Sequence, residues 1–312
     1  MTQESAALLV PNDITPAMIT AGTSVPVVDS GRGEVAWSSS TAYTGSENHI
    51  NYNGRLYSAV AASTNVPPGT DTTKWRDTGP TNRMAPFDEL LSTQARATGS
   101  IEYVLRPGFF NGLALYGLLG EQIEITIYDA PGGTIVEHWT QELWEQPLGL
   151  YEYLFMPLRA LTKKIISDLQ LYPDPELHIK ITSAGSGAVG IGMIALGFWS
   201  TLLGSAVDFG GVEYGASAQV KTYSYIKTEE DGTTTIIPRA PATNITCDVV
   251  IDAEQANTAA EILMQVAAKP VAFVASGLPR YAYLNTFGLV SGTVTPVAWQ
   301  LARVNISVKG YI

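Results

Sequence analysis

Residues 122–128 read Gln122-Ile-Glu-Ile-Thr-Ile-Tyr128, and residues 177–182 read Leu177-His-Ile-Lys-Ile-Thr182. In both, an aliphatic residue stands at every second position with polar or aromatic residues between, the period of a strand that buries one face. Similar short apolar runs surround them: Ser100-Ile-Glu-Tyr-Val-Leu105, Gly112-Leu-Ala-Leu-Tyr116, Thr134-Ile-Val-Glu-His-Trp139, Tyr151-Glu-Tyr-Leu-Phe155, Lys163-Lys-Ile-Ile166 and Val189-Gly-Ile-Gly-Met-Ile-Ala-Leu196. Eight strands separated by turn residues, including the hairpin turn Ala130-Pro-Gly-Gly133, predict a β-sandwich or jelly roll over residues 99–204.

One part of this region invites a different reading. No charged residue falls between Lys180 and Asp208, and residues 188–203 approach the length of a bilayer-spanning helix. Gly185, Gly187, Gly190, Gly192, Gly197 and Gly204 interrupt the run, while Val189, Ile191 and Ile194 keep a strand-like spacing. Buried strands with tight turns fit that pattern better than a helix does, so no membrane span is expected.

Beyond residue 204 the pattern changes. Gln219-Val-Lys-Thr-Tyr-Ser-Tyr-Ile226 and Thr233-Thr-Thr-Ile-Ile237 flank Glu229-Glu-Asp-Gly232, which reads as a hairpin tip and, less favourably, as a weak calcium contact. A strand over residues 244–251 leads to the one convincing helix. Asp252 is its expected N-cap, Ala256, Ala259, Ala260, Leu263, Val266 and Ala267 form its apolar stripe, and Pro270 ends it. Val271-Ala-Phe-Val-Ala275, Tyr281-Ala-Tyr-Leu284 and Arg303-Val-Asn-Ile-Ser-Val308 complete an α+β unit over residues 205–312.

The chain has 312 residues and a net charge of −11, so a phosphate backbone would be repelled and nucleic-acid binding is excluded. Only 15% of residues are charged, against about a quarter in an average soluble domain, while 46% are hydrophobic. Such a chain folds, and some of its surface is expected to face protein. The single cysteine, Cys247, excludes an internal disulfide and a multi-thiolate zinc site; its strand-like neighbours mark it as a buried, inert thiol. Met1-Thr-Gln-Glu-Ser5 is not a secretory signal. Residues 1–33, with Pro11, Pro16 and Pro26 among short apolar groups such as Leu8-Leu9-Val10, read as an extended N-terminal arm, either lying on a neighbouring subunit or a flexible tail.

Residues 34–80 form a compact unit. Asn53-Gly54 sits between Ile50-Asn-Tyr52 and Arg55-Leu-Tyr57, a strong hairpin signal, and Pro67-Pro-Gly69 makes a loop before Lys74-Trp75. The run Ala36-Trp37, Tyr43, Tyr52-Asn-Gly-Arg-Leu-Tyr-Ser-Ala59, Pro68-Gly69 and Trp75 with Gly79 resembles the small chitin-binding type of carbohydrate-binding module found on chitinases, over about 45 residues. The resemblance implies a three-stranded aromatic module in which Tyr43, Tyr52, Tyr57 or Trp75 would contact sugar. Sugar-binding members carry a pair of tryptophans after the central Tyr-x-Ala, where this chain has Ala61 and Ala62. Flat aromatic faces supply much of the affinity for a pyranose ring, so a retained scaffold acting as spacer or protein contact is favoured over sugar binding. A linker over residues 81–98, containing Pro86 and a short possible helix, joins this module to the sandwich.

Catalytic motifs are scarce. Gly185-x-Gly187-x-x-Gly190 spells a dinucleotide fingerprint, and Asp208 follows at a suitable distance, but it joins two strands instead of opening a helix. His49, His138 and His178 are far apart and lack a second ligand type at metal spacing. Glu137, Glu142 and Glu145 beside Trp139 and Trp144 could serve a polysaccharide hydrolase, although strand-end acids are far commoner. The expectation is no enzyme, cofactor or metal.

The order of parts resembles tail and baseplate proteins of tailed bacteriophages. That resemblance implies a non-enzymatic virion structural protein, made in the bacterial cytoplasm, assembling as a homo-oligomer and joining the tail core to peripheral or fibre components. The alternative is a receptor-binding protein that adsorbs to host cell-surface polysaccharide.

Overall fold

The computed structural model describes residues 6–88, 90, 92–145, 149–157, 159–202, 211–228, 232–237 and 241–311. The fold is mainly β. After β1 (Ala7–Pro11), the aromatic module contributes β2 (Val35–Ala36), β3 (Ala42–Tyr43), β4 (Ile50–Tyr52), β5 (Arg55–Ala59), β6 (Ser63–Thr64) and β7 (Trp75–Pro80). The middle of the chain holds β8 (Ala95–Thr98), β9 (Ser100–Leu105), β10 (Gly112–Tyr116), β11 (Gln122–Tyr128), β12 (Ile135–Glu142), helix α1 (Leu150–Phe155), β13 (Lys163–Ile166), β14 (Glu176–Thr182), β15 (Ala188–Ile191) and β16 (Met193–Thr201). The last third holds β17 (Gly211–Val212), β18 (Ser217–Lys221), β19 (Tyr225–Thr228), β20 (Thr234–Ile237), β21 (Ala242–Asp252), the main helix α2 (Ala256–Val266), β22 (Pro270–Val274), β23 (Asn285–Pro296) and β24 (Leu301–Gly310).

The alternating segments behave as their period dictates. In the four-stranded sheet β12-β11-β14-β9, Ile123, Ile125 and Ile127 of β11 lie opposite Ile181, Ile179 and Leu177 of β14. Those in turn lie opposite Ile101, Tyr103 and Leu105 of β9. All nine side chains are buried. They pack against Leu113 and Leu115 of β10, Ile166 of β13, and Ile194 and Leu196 of β16, which belong to a second sheet facing the first. At roughly 1.5–3 kcal/mol for each large apolar side chain removed from water, this sandwich core is the largest local source of stability.

The second sheet is longer than the sandwich. Its order is β13-β10-β16-β1-β22-β23-β24-β21-β17, with β18 also on β21. It therefore runs from the sandwich into the C-terminal unit, and β1 lies at the join, antiparallel to β16 on one side and β22 on the other. The segment read as an arm on a neighbour or a loose tail is thus partly an interior strand of its own chain. The physical reason is alternation: Leu8 points into the C-terminal core and Ala7 and Leu9 into a central cluster with Trp199, Phe287 and Tyr116.

Three sequence expectations change in detail. Residues 151–155, expected as a strand, form the exposed helix α1, closed by Tyr153 N–H to Gly149 O and Met156 N–H to Glu152 O, both 3.0 Å. Alternation alone did not make a strand there, because no neighbouring strand offers a ladder, whereas Glu152 suits a helix N-terminus. Residues 281–284 lie in a 3-10 turn, Pro279–Leu284, and the strand begins only at Asn285. Asp252 precedes a 3-10 turn, Ala253–Gln255, without a side-chain capping bond, and α2 starts one turn later. In that helix Ala259, Leu263 and Val266 are buried as the stripe predicts, with Leu263 against the backbone of β23 at Gly292. The charge-free stretch is β15 and β16, and no helix among the described residues is long and apolar enough to cross a membrane. Gly204, Asp208 and the tip acids Glu229, Glu230 and Asp231 lie outside the described residues.

Leu8→Ala and Leu9→Ala should each destabilise the isolated chain by roughly 2–5 kcal/mol in urea unfolding. An arm lying on a neighbour would instead weaken assembly and leave the single chain's unfolding midpoint where it was.

Candidate functional site

The aromatic module is built on β4, β5 and β7, paired antiparallel, with two-residue β2 added parallel to β4. Its hairpin turn has positive φ at both Asn53 (49°) and Gly54 (78°), the conformation that makes Asn-Gly the preferred pair for a two-residue hairpin loop. Tyr43, Ile50, Tyr57, Ala59 and Trp75 form its core. Tyr43 meets Trp75 edge-on at 4.9 Å, and Trp37 meets Tyr52 in the same manner at 5.2 Å. The polar ends of the buried rings are spent on backbone: the Ser38 amide donates to the Tyr43 hydroxyl at 2.9 Å, and the Trp75 indole donates to Val66 O at 2.9 Å.

This geometry bears on each proposed sugar contact. Trp75 is 2% exposed, Tyr43 5% and Tyr57 9%, so none of the three offers a free face to a pyranose, and burial raises the Tyr57 hydroxyl above its ordinary pKa. All three belong to the module's core. Tyr52 is half-buried against Trp37. Ala61 is half-buried and Ala62 exposed at the places where a tryptophan pair would stand. Val35 and Val60 are the module's large exposed apolar side chains, and neither is aromatic.

The module is clasped to the body. Glu34, buried, accepts from the Asp29 amide (3.0 Å), the Asn51 side chain (3.1 Å) and the Asn82 amide (3.2 Å). Three N–H donors on one carboxylate offset the cost of burying its charge. Asn82, also buried, donates to Asp29 Oδ2 and Arg96 O and accepts from the Arg96 amide. Next to it the Arg83 guanidinium donates to the carbonyls of Val25, Ile19 and Thr20, and the Tyr103 hydroxyl of the sandwich core donates to Arg83 O. The start of the segment read as a linker is therefore a fixed joint of arm, module and sandwich. Sequence reading missed Glu34 and Asn82 because buried polar partners share no spacing along the chain.

The other candidates spread apart. Cys247 is buried and its thiol is pushed up to about 12, chiefly by burial and then by Asp248, which keeps it protonated. His138 lies by Thr126 and Thr140, His178 between Glu102 and Glu176, and His49 far off in the module. Among the described residues no group of three or more potential ligands could hold a metal. Glu137, Glu142 and Glu145 are exposed on edge strand β12 and the loop after it, without the enclosure a glycosidase uses to separate two carboxyl pKa values. Gly185 and Gly187 turn from β14 toward β15, which contains Gly190, and no helix follows.

Among the described residues, two of the hollows are of comparable size. One, about 500 Å³, follows the clasp and is bordered by Arg32, Glu34, His49 and Asn82. The other, about 490 Å³, lies between residues 212–216 and 275–284 and is flanked by Tyr214, Tyr281 and Tyr283. Sequence reading assigned the second no role, since its two walls lie some sixty residues apart and Tyr281 and Tyr283 were placed in a strand.

Trp75→Ala should unfold or loosen the module, at roughly 3–5 kcal/mol, visible as loss of near-ultraviolet dichroism from its aromatic cluster. A second expectation concerns acid. Glu47 accepts from the Thr44 amide and hydroxyl and from the Gly45 amide, which, Thr44 foremost, lower its carboxyl from 4.5 to about 2. Because the folded form holds the charged carboxylate, that stabilisation is complete above pH 4.5 and is lost as pH falls through about 2. Glu47→Gln should flatten the module's stability profile across this window in pH-dependent unfolding.

Comparison with known proteins finds no matching family model, curated protein or solved structure, so the functional reading rests on the residues above.

Proposed function

We propose that the protein is a non-enzymatic structural subunit of a bacteriophage tail tip or baseplate, assembling as a homo-oligomer and joining the tail core to peripheral or fibre components. The observation that carries this reading is an apolar surface left uncovered by the described residues. In and just after α1, Leu150, Tyr151, Tyr153, Leu154, Phe155 and Met156 are all exposed, Phe155 at 70%. A short helix with five of its six side chains apolar and bare to water is an interface awaiting a partner. The tip between β23 and β24 adds Val297 and Trp299, the latter 94% exposed. The low charge content supports the same reading, as does the resemblance of the domain order to tail and baseplate proteins.

In this reading the Glu34–Asn82 clasp gives the aromatic module a set direction relative to the sandwich, and α1 and the β23–β24 tip are the contacts that repeat around a symmetry axis. Adsorption to cell-surface polysaccharide through Tyr43, Tyr57 or Trp75 is disfavoured by their burial.

Analytical ultracentrifugation of the purified chain should show a discrete oligomer. The double substitution Leu154→Glu with Phe155→Glu should return it to monomer while leaving the melting curve of the folded chain nearly unchanged, because both side chains lie outside the core. A wild-type chain that stays monomeric at concentrations of tens of micromolar and cleaves glycans would overturn the proposal.

A further inference from the structure

We infer that the groove between residues 212–216 and 275–284 is a binding site for a hexopyranose glycan. The claim is independent of the oligomeric reading and places sugar recognition far from the aromatic module.

Three tyrosines border the groove. Tyr214 is fully exposed and Tyr283 largely so, while Tyr281 is half-buried against the C-terminal core. Tyr281 and Tyr283 lie on the 3-10 turn Pro279–Leu284, with ring centroids 6.5 Å apart at 63°. The Arg280 guanidinium sits over the Tyr281 ring at 5.0 Å, a cation–π contact that presents its N–H groups at the rim. On the opposite wall Glu213 is held by Arg303 at 3.0 Å, leaving a positioned acceptor beside Tyr214.

The turn is stiffened from behind. Lys163 of β13 donates to Ala282 O (3.1 Å) and Asn285 O (3.3 Å), tying the tyrosine-bearing turn to the sheet edge. Aromatic faces on a tethered turn, with a third ring across from them and a few hydrogen-bonding groups, match the two surfaces of a pyranose, its C–H face and its rim of hydroxyls. A peptide added as an extra strand fits less well. One wall is a 3-10 turn and not a strand edge, and the amides of Glu213, Ala275, Leu278 and Tyr281 already donate to Asp248 O, Leu284 O, Ser276 Oγ and Leu278 O, so these four are closed to an added strand. Glu213 is the sole carboxylate among the described lining residues, so the groove lacks the pair that hydrolysis requires and would bind without cleaving.

The test is calorimetric titration of the full chain with chitohexaose, cellohexaose and maltohexaose, separately, up to about 5 mM. At least one should bind saturably, and Tyr214→Ala and Tyr283→Ala should each weaken it about tenfold with an unchanged melting curve, while Tyr52→Ala leaves it unaffected. Tyr214 has no packing to lose, so its loss of binding cannot be charged to unfolding. Silence with all three sugars overturns the inference, as does binding that survives both groove substitutions. A proline-rich decapeptide that binds the wild-type chain but not Tyr214→Ala, where no sugar binds, would make the groove a protein contact and equally overturn it.

Discussion

The backbone of residues 7–11 is paired on two sides. Residues 197–201 take one flank, and residues 272–274 take the other. Remove that strand and the long sheet falls into two, each half presenting a row of unpaired amides and carbonyls at β16 and β22, an edge open to aggregation. The alternation within β1 compounds the dependence, because Leu8 fills the C-terminal core while Ala7 and Leu9 fill the cluster shared with the sandwich side. Five residues near the N-terminus thus join the two largest parts of the molecule. The closure is also the most non-local in the fold, since Ala7 pairs with Val274. Loop-closure entropy makes such a contact late to form, so the joined sheet completes only after β22 is in place.

That constraint explains which features could be read from sequence. A strand that buries one face writes its period into the chain, and β9, β11 and β14 are legible for that reason, as are α2 and the Asn53-Gly54 turn. β1 has the same alternation, but five residues between prolines and a polar tail do not reveal that two partners wait nearly two hundred and more residues away. β23 was obscured by Gly288 and Gly292, which lower strand propensity, yet a side chain at Gly288 would run into the backbone of Lys309 and one at Gly292 into Asn305 O and Leu263. Those glycines are requirements of close packing, which periodicity does not report.

For the candidate sites the limit was different. The aromatic residues of the module were found by their spacing, and the spacing was informative about folding, not about contact with ligand. One ring cannot both fill a core and stack on a sugar. In a unit of under fifty residues, where area for burial is scarce, Tyr43, Tyr57 and Trp75 go to the core, and the positions that could have displayed rings hold Ala61 and Ala62. The Tyr214–Tyr283 groove is the converse case. Its rings sit on the turn between β17 and β18 and on a 3-10 turn distant in sequence, so only the folded chain brings them to one hollow.

The uncovered helix and the clasped module point the same way when set against the distribution of charge. Charged residues are few overall, and several of them tie separate parts of the fold together: Glu34 at the module, Arg83 under it, Lys163 behind the 3-10 turn. Joints of this kind resist bending between parts, which a lone adhesive domain on a tether does not need and a subunit that must hold several neighbours at set angles does. α1 meanwhile keeps five aromatic or aliphatic side chains in water within a single six-residue helix too short to be stable by itself. In the proposed assembly another subunit would supply the packing that a helix this short needs. On that proposal the jointed interior and the exposed helix answer one requirement, that the chain hold its shape before assembly and complete its packing during it.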